Sequence, residues 1–139
     1  MEKMVKRGYV HSDKREFTED GVRKLRAAGS NLYYLLNRGY PIKSASVFVG
    51  NHYLLSERQR LALVRAVSPK ENIRLRMDKE LKGGLEGCTV NIDGFNIIIT
   101  LEVALSGSPL LKCMDGTIRD LAGLRGTYRL IDKTDMAIT

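Results

Sequence analysis

Residues 18–39, TEDGVRKLRAAGSNLYYLLNRG, contain the clearest structural pattern in the sequence. Thr18 is a good helix N-cap, and Glu19 and Asp20 place negative charge in the first turn, where the helix dipole favours it. Apolar residues follow at spacings of three and four, as in an amphipathic helix: Val22, Leu25, Leu32, Leu35 and Leu36. Gly39 ends the pattern, so the sequence predicts a long helix that buries one face.

Three further helices are predicted downstream of the first. Pro41 is suited to the start of a second helix, and Ser56 with Gln59 forms a capping-box pattern at the start of a third. Pro69 opens a fourth, which the Gly83-Gly84 pair ends. The predicted inward face of the fourth helix is Ile73, Met77 and Leu81. Residues 1–82 therefore predict a bundle of about four helices.

The pattern changes after the glycine pair. Cys88, Val90 and Ile92 alternate with polar residues, which predicts a strand that ends at Asp93. Residues 94–107 allow two structures. The β-branched run within them favours a second strand after an Asp-Gly turn, whereas the length of the apolar run and a capping asparagine favour a helix. We favour strand, helix, strand.

A hairpin is predicted to follow. Residues 110–114 have the composition of a strand, and the Asp115-Gly116 pair is a good turn into a strand at 117–121. The predicted fold is therefore α+β (or α/β), with a basic helical module at 1–82 and a small α/β segment at 83–139. Asp132 or Thr134 would cap a last helix that the chain hardly begins, so we expect the second segment to be incomplete without further chain or a partner.

The 139-residue chain carries a net charge of +7, but the charge is unevenly distributed. Residues 1–82 contain 18 Lys/Arg and 9 Asp/Glu, whereas residues 83–139 contain 5 and 7, which gives +9 and −2. A basic helical surface is suited to binding the phosphates of RNA or DNA, while the simpler alternative is that these cations only solvate helix surfaces. The candidate phosphate contacts are Arg23, Lys24, Arg26, Arg38, Lys43, Arg58 and Arg74.

A second candidate site consists of acidic residues in the C-terminal segment. Two or more carboxylates in one pocket can hold Mg²⁺ or Mn²⁺, which activates a water in nuclease chemistry. The predicted metal ligands are Asp93, Asp120 and Asp115, the predicted catalytic residues are Asp93, Asp120 and Glu102, and Asn96 is a supporting residue. The alternative is that Asp93 and Asp115 are only turn residues.

Other classes of function are excluded or disfavoured. The richest apolar stretch, residues 95–105, is broken by polar residues and is too short to span a bilayer. The first residues lack the apolar core of a signal peptide, so we expect a cytoplasmic protein without membrane contact. Cys88 and Cys113 are far apart and lack metal-ligand spacing, which predicts buried thiols.

Three stretches of the sequence resemble a known family. Residues 33–67, YYLLNRGYPIKSASVFVGNHYLLSERQRLALVRAV, resemble the module catalogued as domain of unknown function 434. Residues 92–107, IDGFNIIITLEVALSG, and residues 115–128, DGTIRDLAGLRGTY, resemble the segment that accompanies that module in archaeal and bacterial proteins. The resemblance implies kinship with an uncharacterised family whose members generally continue past the last residue of this chain.

A more distant resemblance suggests a chemistry. The Ile-Asp-Gly-Phe-Asn segment at 92–96 is similar to the opening of PIN-like and NYN-type ribonucleases, in which an Asp-Gly-x-Asn segment follows the first strand. This resemblance implies a metal-ligand role for Asp93 and a supporting role for Asn96. Those nucleases draw further acidic ligands from later strands, and here only Glu102, Asp115 and Asp120 remain as substitutes.

Two hypotheses follow from the sequence. The first is a nucleic-acid-associated protein whose C-terminal segment is related to a Mg²⁺- or Mn²⁺-dependent ribonuclease, with a partial or vestigial site. The second is a non-catalytic interaction module that forms a homo-oligomer, most simply a dimer. RNA or DNA binding that weakens steeply with salt supports the first hypothesis, and a stable dimer indifferent to nucleic acid supports the second.

Overall fold

A computed structural model describes residues 4–123 and 128–139 of the chain. Within these residues the protein has an α+β fold, with seven helices and one two-stranded antiparallel sheet. The elements in chain order are α1 (Asp13–Glu16), α2 (Glu19–Asn37), α3 (Ile42–His52), α4 (Glu57–Ala66), α5 (Lys70–Lys79), α6 (Gly94–Leu105), β1 (Leu110–Lys112), β2 (Ile118–Asp120) and α7 (Thr134–Ile138). None of these helices is long and apolar enough to cross a membrane.

Helices α2, α3 and α4 pack against one another around the main apolar core. That core comprises Ala28, Leu32, Ala45, Val49, Leu55, Leu63 and Val67. The predicted caps of α2 and α4 are confirmed, since the Thr18 hydroxyl accepts a hydrogen bond from the Gly21 amide at 3.3 Å and Ser56 and Gln59 form a complete capping box. Local sequence signals therefore place the ends of the helices that build the core. The caps predicted for the last two helices are wrong, because the N-cap of α6 is Asp93 and that of α7 is Lys133.

Helix α5 differs from the prediction. It has no buried residue: Ile73 is half-buried, Met77 is 61% exposed, and the helix ends at Lys79, before Leu81. Six of its ten residues are charged, so a helix of this composition has little apolar surface to bury. The predicted inward face of this helix is therefore wrong.

The strand predicted at residues 88–92 is also absent. These residues form neither a helix nor a strand, and all of them are exposed. An alternating pattern shows that a segment is suited to a half-buried strand, but a strand also needs a neighbour with which to exchange backbone hydrogen bonds. In the described part of the chain the sheet contains β1 and β2 alone. The helix that the sequence favours after this segment is confirmed as α6.

The predicted hairpin is confirmed. Strand β1 pairs with β2 in antiparallel register, with Leu110 opposite Asp120, and the intervening turn contains Gly116 at a positive φ of 83°. The Met114 amide donates a 2.8 Å hydrogen bond to the carbonyl of Ala66, the last residue of α4. The hairpin is therefore attached to the helical core, although its sequence lies in the other half of the chain.

Candidate functional site

Glu102, a predicted catalytic residue, is fully buried on α6, with a relative exposure of 0%. Its carboxylate accepts hydrogen bonds from Arg7 Nε at 2.8 Å, from Thr134 Oγ1 at 2.5 Å and from the Tyr128 hydroxyl. Burial raises the pKa of this carboxyl, but the donors from Thr134, Tyr128 and Arg7 outweigh that effect and bring the pKa below its ordinary value. Glu102 is therefore an ionised residue held by protein groups.

Arg7 extends this cluster to the N-terminal segment. Its guanidinium lies 4.9 Å from the centre of the Tyr128 ring and also donates to the carbonyl of Arg129. Its backbone amide donates to Ser106 Oγ at 3.1 Å. The cluster thus joins the first described residues, the end of α6 and the C-terminal segment. Sequence analysis missed it because Arg7 and Glu102 are 95 residues apart.

Asp120 and Asp115 also have protein partners. The Asp120 oxygens accept from Thr100 Oγ1 at 2.8 Å and from the Ala122 amide at 2.9 Å. Asp115 accepts from the amide and hydroxyl of Thr117 and pairs with Arg76 at 3.1 Å. Burial raises the pKa of Asp115, but the Thr117 donors and the positive charges of Arg76 and Arg119 lower the pKa by more than burial raises it. The net shift of the pKa is therefore downward.

Asp93 and Asn96 lie together at the exposed start of α6. The Asn96 amide donates to Asp93 Oδ2 at 2.5 Å. Among the predicted metal-site residues, all of which the structure describes, Asp93 and Asn96 are the pair joined by a hydrogen bond. Within residues 4–123 and 128–139, no group of three or more His, Cys, Asp or Glu is arranged to hold a metal ion. Neither Asp115, Asp120 nor Glu102 joins Asp93 in such a group, so the described residues do not fit the predicted Mg²⁺ or Mn²⁺ site.

Arg58, predicted to contact phosphate, is instead used inside the protein. Its guanidinium donates to Asp13 Oδ1 at 2.8 Å, to the Leu121 carbonyl at 2.7 Å and to the Gly8 carbonyl at 2.5 Å. Four of its donor contacts are directed at protein oxygens, two of them on Asp13. Arg58 therefore joins α4, α1 and the segment after β2, and it is not available for a phosphate.

The other predicted phosphate contacts lie at the surface. Arg23, Arg26, Arg38, Lys43 and Arg74 are exposed, and Lys24 is half-buried. Arg23 pairs with Asp20 at 3.0 Å, and the Arg38 guanidinium lies 5.1 Å from the centre of the exposed Tyr34 ring. Positions 23, 26, 30, 34 and 38 share one face of α2 because their spacings are three and four. Arg23 also pairs with Glu19, so the cations of this face without an ion pair in the described chain are Arg26 and Arg38, and the ring of Tyr34 is exposed beside them.

A groove of about 820 Å³ opens beside that face. It lies between α1, α2 and α4 on one side and the segment from Gly107 to Met114 on the other. The rings of Tyr9 and Phe17 contribute to its lining. Most of the rest is apolar and comes from α2, from the end of α4 and the residue after it, and from β1: Val22, Leu25, Leu63, Val67, Leu110 and Leu111. Its size is that of a small-molecule or short-segment binding site.

Three exposed cations line this groove: Lys14 from α1, Arg26 from α2 and Lys112 from β1. None of them forms an ion pair in the part of the chain that the structure describes. Among the described lining residues the only acid is Asp13, whose charge is paired with Arg58. Of these cations sequence analysis found Arg26 alone, because a convergence of three separate elements leaves no local pattern.

The two cysteines occupy different environments. Cys113 is buried, and burial raises the pKa of its thiol, whereas Cys88 is exposed. The prediction of two buried thiols is therefore right for Cys113 and wrong for Cys88.

Comparisons with known proteins support the family resemblance without giving an activity. Residues 24–79 match the family model described as "Protein of unknown function (DUF434)", and residues 82–139 match "Domain of unknown function (DUF5616)". An uncharacterised protein of Methanocaldococcus jannaschii is 39% identical over 114 residues, which cover 81% of this chain and 54% of that relative. The chain thus spans about half the length of the curated relative it matches. No solved structure gives a significant match.

Proposed function

We propose that this protein binds nucleic acid through phosphate contacts centred on the rim of the groove. The observation that carries the proposal is the convergence of Lys14, Arg26 and Lys112, three exposed cations without ion-pair partners in the described chain, on one groove. Because the only acid described in the groove lining, Asp13, is already neutralised, an approaching anion meets net positive charge.

The basic face of α2 extends this surface. Arg26 belongs both to the groove and to the row of exposed residues that continues through Tyr34 to Arg38. A cation next to an aromatic ring is a frequent arrangement in proteins that bind single strands, since phosphates pair with the cation and bases stack on the ring. A nucleic-acid backbone that follows α2 would therefore meet Arg26 in the first half of the 19-residue helix and Arg38 just after its last residue.

The proposal contains no catalytic step. The carboxylates predicted to hold Mg²⁺ or Mn²⁺ all accept hydrogen bonds from protein groups, and no three of them form a group in the described chain that could hold a metal ion. The similarity of residues 92–96 to the ribonuclease segment thus supports at most a shared origin. The described residues supply cations that can bind phosphates, so the proposed activity is binding alone.

Fluorescence anisotropy with labelled oligonucleotides, measured across a salt series, tests the proposal. The triple variant Lys14→Gln, Arg26→Gln, Lys112→Gln removes the groove cations, and we expect it to weaken binding and to lower the slope of log affinity against log salt by roughly two to three. The matched control, Lys70→Gln, Lys79→Gln, Lys82→Gln, removes the same charge from exposed positions in and after α5. Equal losses in both variants, or no binding by the wild type at low salt, would contradict the proposal.

A second candidate function, self-association, is favoured by the surface of α6. Ile97, Leu101 and Leu105 follow one another at spacings of four, so they share one face of the helix, and all three are exposed. The only charged residue of α6 is Glu102, which is directed inward. Two copies can therefore pack this face against itself without burying a charge, as a two-fold interface requires.

Light scattering after size-exclusion chromatography tests self-association. We expect the mass of two chains for the wild type and of one chain for Leu101→Glu, which introduces a charge into the apolar face. The control Leu54→Glu changes an equally apolar residue that is exposed on another part of the protein. A wild type that elutes as a single chain at micromolar concentration contradicts this candidate.

A further inference from the structure

The groove is lined by one buried side-chain polar group that has no partner among the described residues. Ser108 lines the groove and is 7% exposed, yet its hydroxyl has no hydrogen-bond partner among the described residues. It is the one buried side-chain nitrogen or oxygen of this kind in the described chain. A buried hydroxyl without a partner destabilises the protein unless something else binds to it.

The backbone holds Ser108 in a defined position. Gly107 adopts a left-handed φ of 66° just after α6, and its amide donates to the Ala104 carbonyl at 3.0 Å. The Ser108 amide donates to the Val103 carbonyl at 3.1 Å. These two bonds form the Schellman arrangement that ends many helices, and Pro109 restricts the backbone of the residue before it, Ser108. The hydroxyl is therefore a pre-positioned group in the groove rather than a mobile surface serine.

From these observations we infer that the groove accepts an unstacked base of a single-stranded nucleic acid, with its polar edge on the Ser108 hydroxyl. This inference rests on the proposed function and identifies the form of nucleic acid that is bound. A base has two apolar faces and a polar edge, which matches an apolar groove lined by one buried hydroxyl without a partner in the described chain. The backbone phosphate of the same nucleotide would lie at the cationic rim formed by Lys14, Arg26 and Lys112.

The chemistry of the groove favours a base over the other ligands that would fit its size. A phosphate alone would leave the apolar walls and the rings of Tyr9 and Phe17 without contacts. A duplex has its base edges paired and its faces stacked, so it can bring only its backbone to the rim. A fatty carboxylate would fill the apolar part and pair with the rim, but an alkyl chain offers nothing to the Ser108 hydroxyl.

A pair of serine variants tests the inference. Ser108→Ala removes the unpartnered hydroxyl without adding volume. Ser30→Ala is the matched control, because Ser30 lines the same groove but is exposed, and its hydroxyl already donates to the Arg26 carbonyl at 3.2 Å. Affinity is measured for a single-stranded oligonucleotide and for the duplex of the same sequence, and 2-aminopurine in the single strand reports whether a base becomes unstacked.

We expect the wild type to prefer the single strand and to increase the fluorescence of 2-aminopurine. Ser108→Ala should lose about threefold to tenfold in affinity for the single strand, which corresponds to one hydrogen bond, while Ser30→Ala should resemble the wild type. Duplex binding and its salt slope should be unchanged in both variants because the rim cations remain.

Four outcomes overturn the inference. Salt-dependent binding with equal affinity for single strand and duplex would leave the proposed function intact and refute the base in the groove. Equal affinities of Ser108→Ala and Ser30→Ala for the single strand would also refute the base in the groove and leave the proposed function intact. Displacement of the oligonucleotide by laurate, but not by mononucleotides, would have the same meaning. An absence of all nucleic-acid binding would refute the proposed function and, with it, this inference.

Discussion

Replacing Glu102 by alanine should severely destabilise the protein. The carboxylate is fully buried and accepts from Arg7 at 2.8 Å, from Thr134 at 2.5 Å and from Tyr128. Removing one partner of a buried ion pair costs about 3 to 5 kcal/mol, because the other charge is left buried and uncompensated. Arg7 keeps the carbonyl of Arg129 as an acceptor, so we expect a loss near the lower end of that range.

Urea unfolding followed by far-ultraviolet circular dichroism is the suitable assay, since the chain contains no tryptophan. The matched control is Glu19→Ala, in which the removed carboxylate is on the surface and 93% exposed. This control should change the free energy of unfolding by less than about 0.5 kcal/mol. A loss below about 1 kcal/mol in Glu102→Ala would refute the argument, because it would mean that the buried pair is not formed.

A double variant separates the ion pair from simple packing. Arg7→Met combined with Glu102→Leu removes both charges and keeps apolar volume in the site. We expect it to be more stable than the sum of the two single losses implies, since neither charge is then buried alone. Losses that add would show that Arg7 and Glu102 do not interact.

Three further predictions concern stability and reactivity. The pKa values of Glu102 and Asp115 are lowered in the folded protein. Their contribution to stability is therefore complete above the ordinary carboxyl pKa of about 4 and is lost as the pH falls through the pKa values of the folded protein. The urea midpoint should decrease from pH 7 to pH 3, and this decrease should be smaller in Glu102→Ala. Gly8→Ala should lower the melting temperature by several degrees, because the φ of Gly8 is 72° and an added Cβ would lie 2.8 Å from a methyl carbon of Val103 in α6. An unchanged melting temperature in differential scanning fluorimetry would contradict this close contact. A thiol reagent should modify Cys88 rapidly and Cys113 only after unfolding. Rapid modification of both thiols in the folded protein would contradict the burial of Cys113.

The structures that the sequence predicted correctly depend on neighbours a few residues away. Thr18 caps α2 by bonding to Gly21, the capping box of α4 joins two residues three positions apart, and the Asp115-Gly116 turn lies between two short strands. Each of these signals acts within one turn of backbone, so a single sequence contains all the information needed. The length of the apolar run predicted α6 correctly, but the helix begins at Gly94, two residues before Asn96, which the sequence offered as its cap.

The errors occur where a segment needs a distant partner. The alternating residues 88–92 are suited to a strand, but in the described chain no strand lies beside them. The apolar positions of α5 have helical spacing, but α2, α3 and α4 complete the main core without them. Periodicity shows which face of an element would be buried, and only the packing of the whole chain shows whether it is.

The charges show most clearly what the sequence determined and what it left open. Composition established that the helical half is basic, and this property supports the proposed phosphate contacts. Whether a given charge faces solvent or the interior depended on distant groups: Arg58 is bound by Asp13 and two carbonyls, and Glu102 by Arg7, while Arg26 is exposed at the groove and has no ion pair with any described residue. A charge can be buried only where partners replace its water, and those partners are brought together by the tertiary fold.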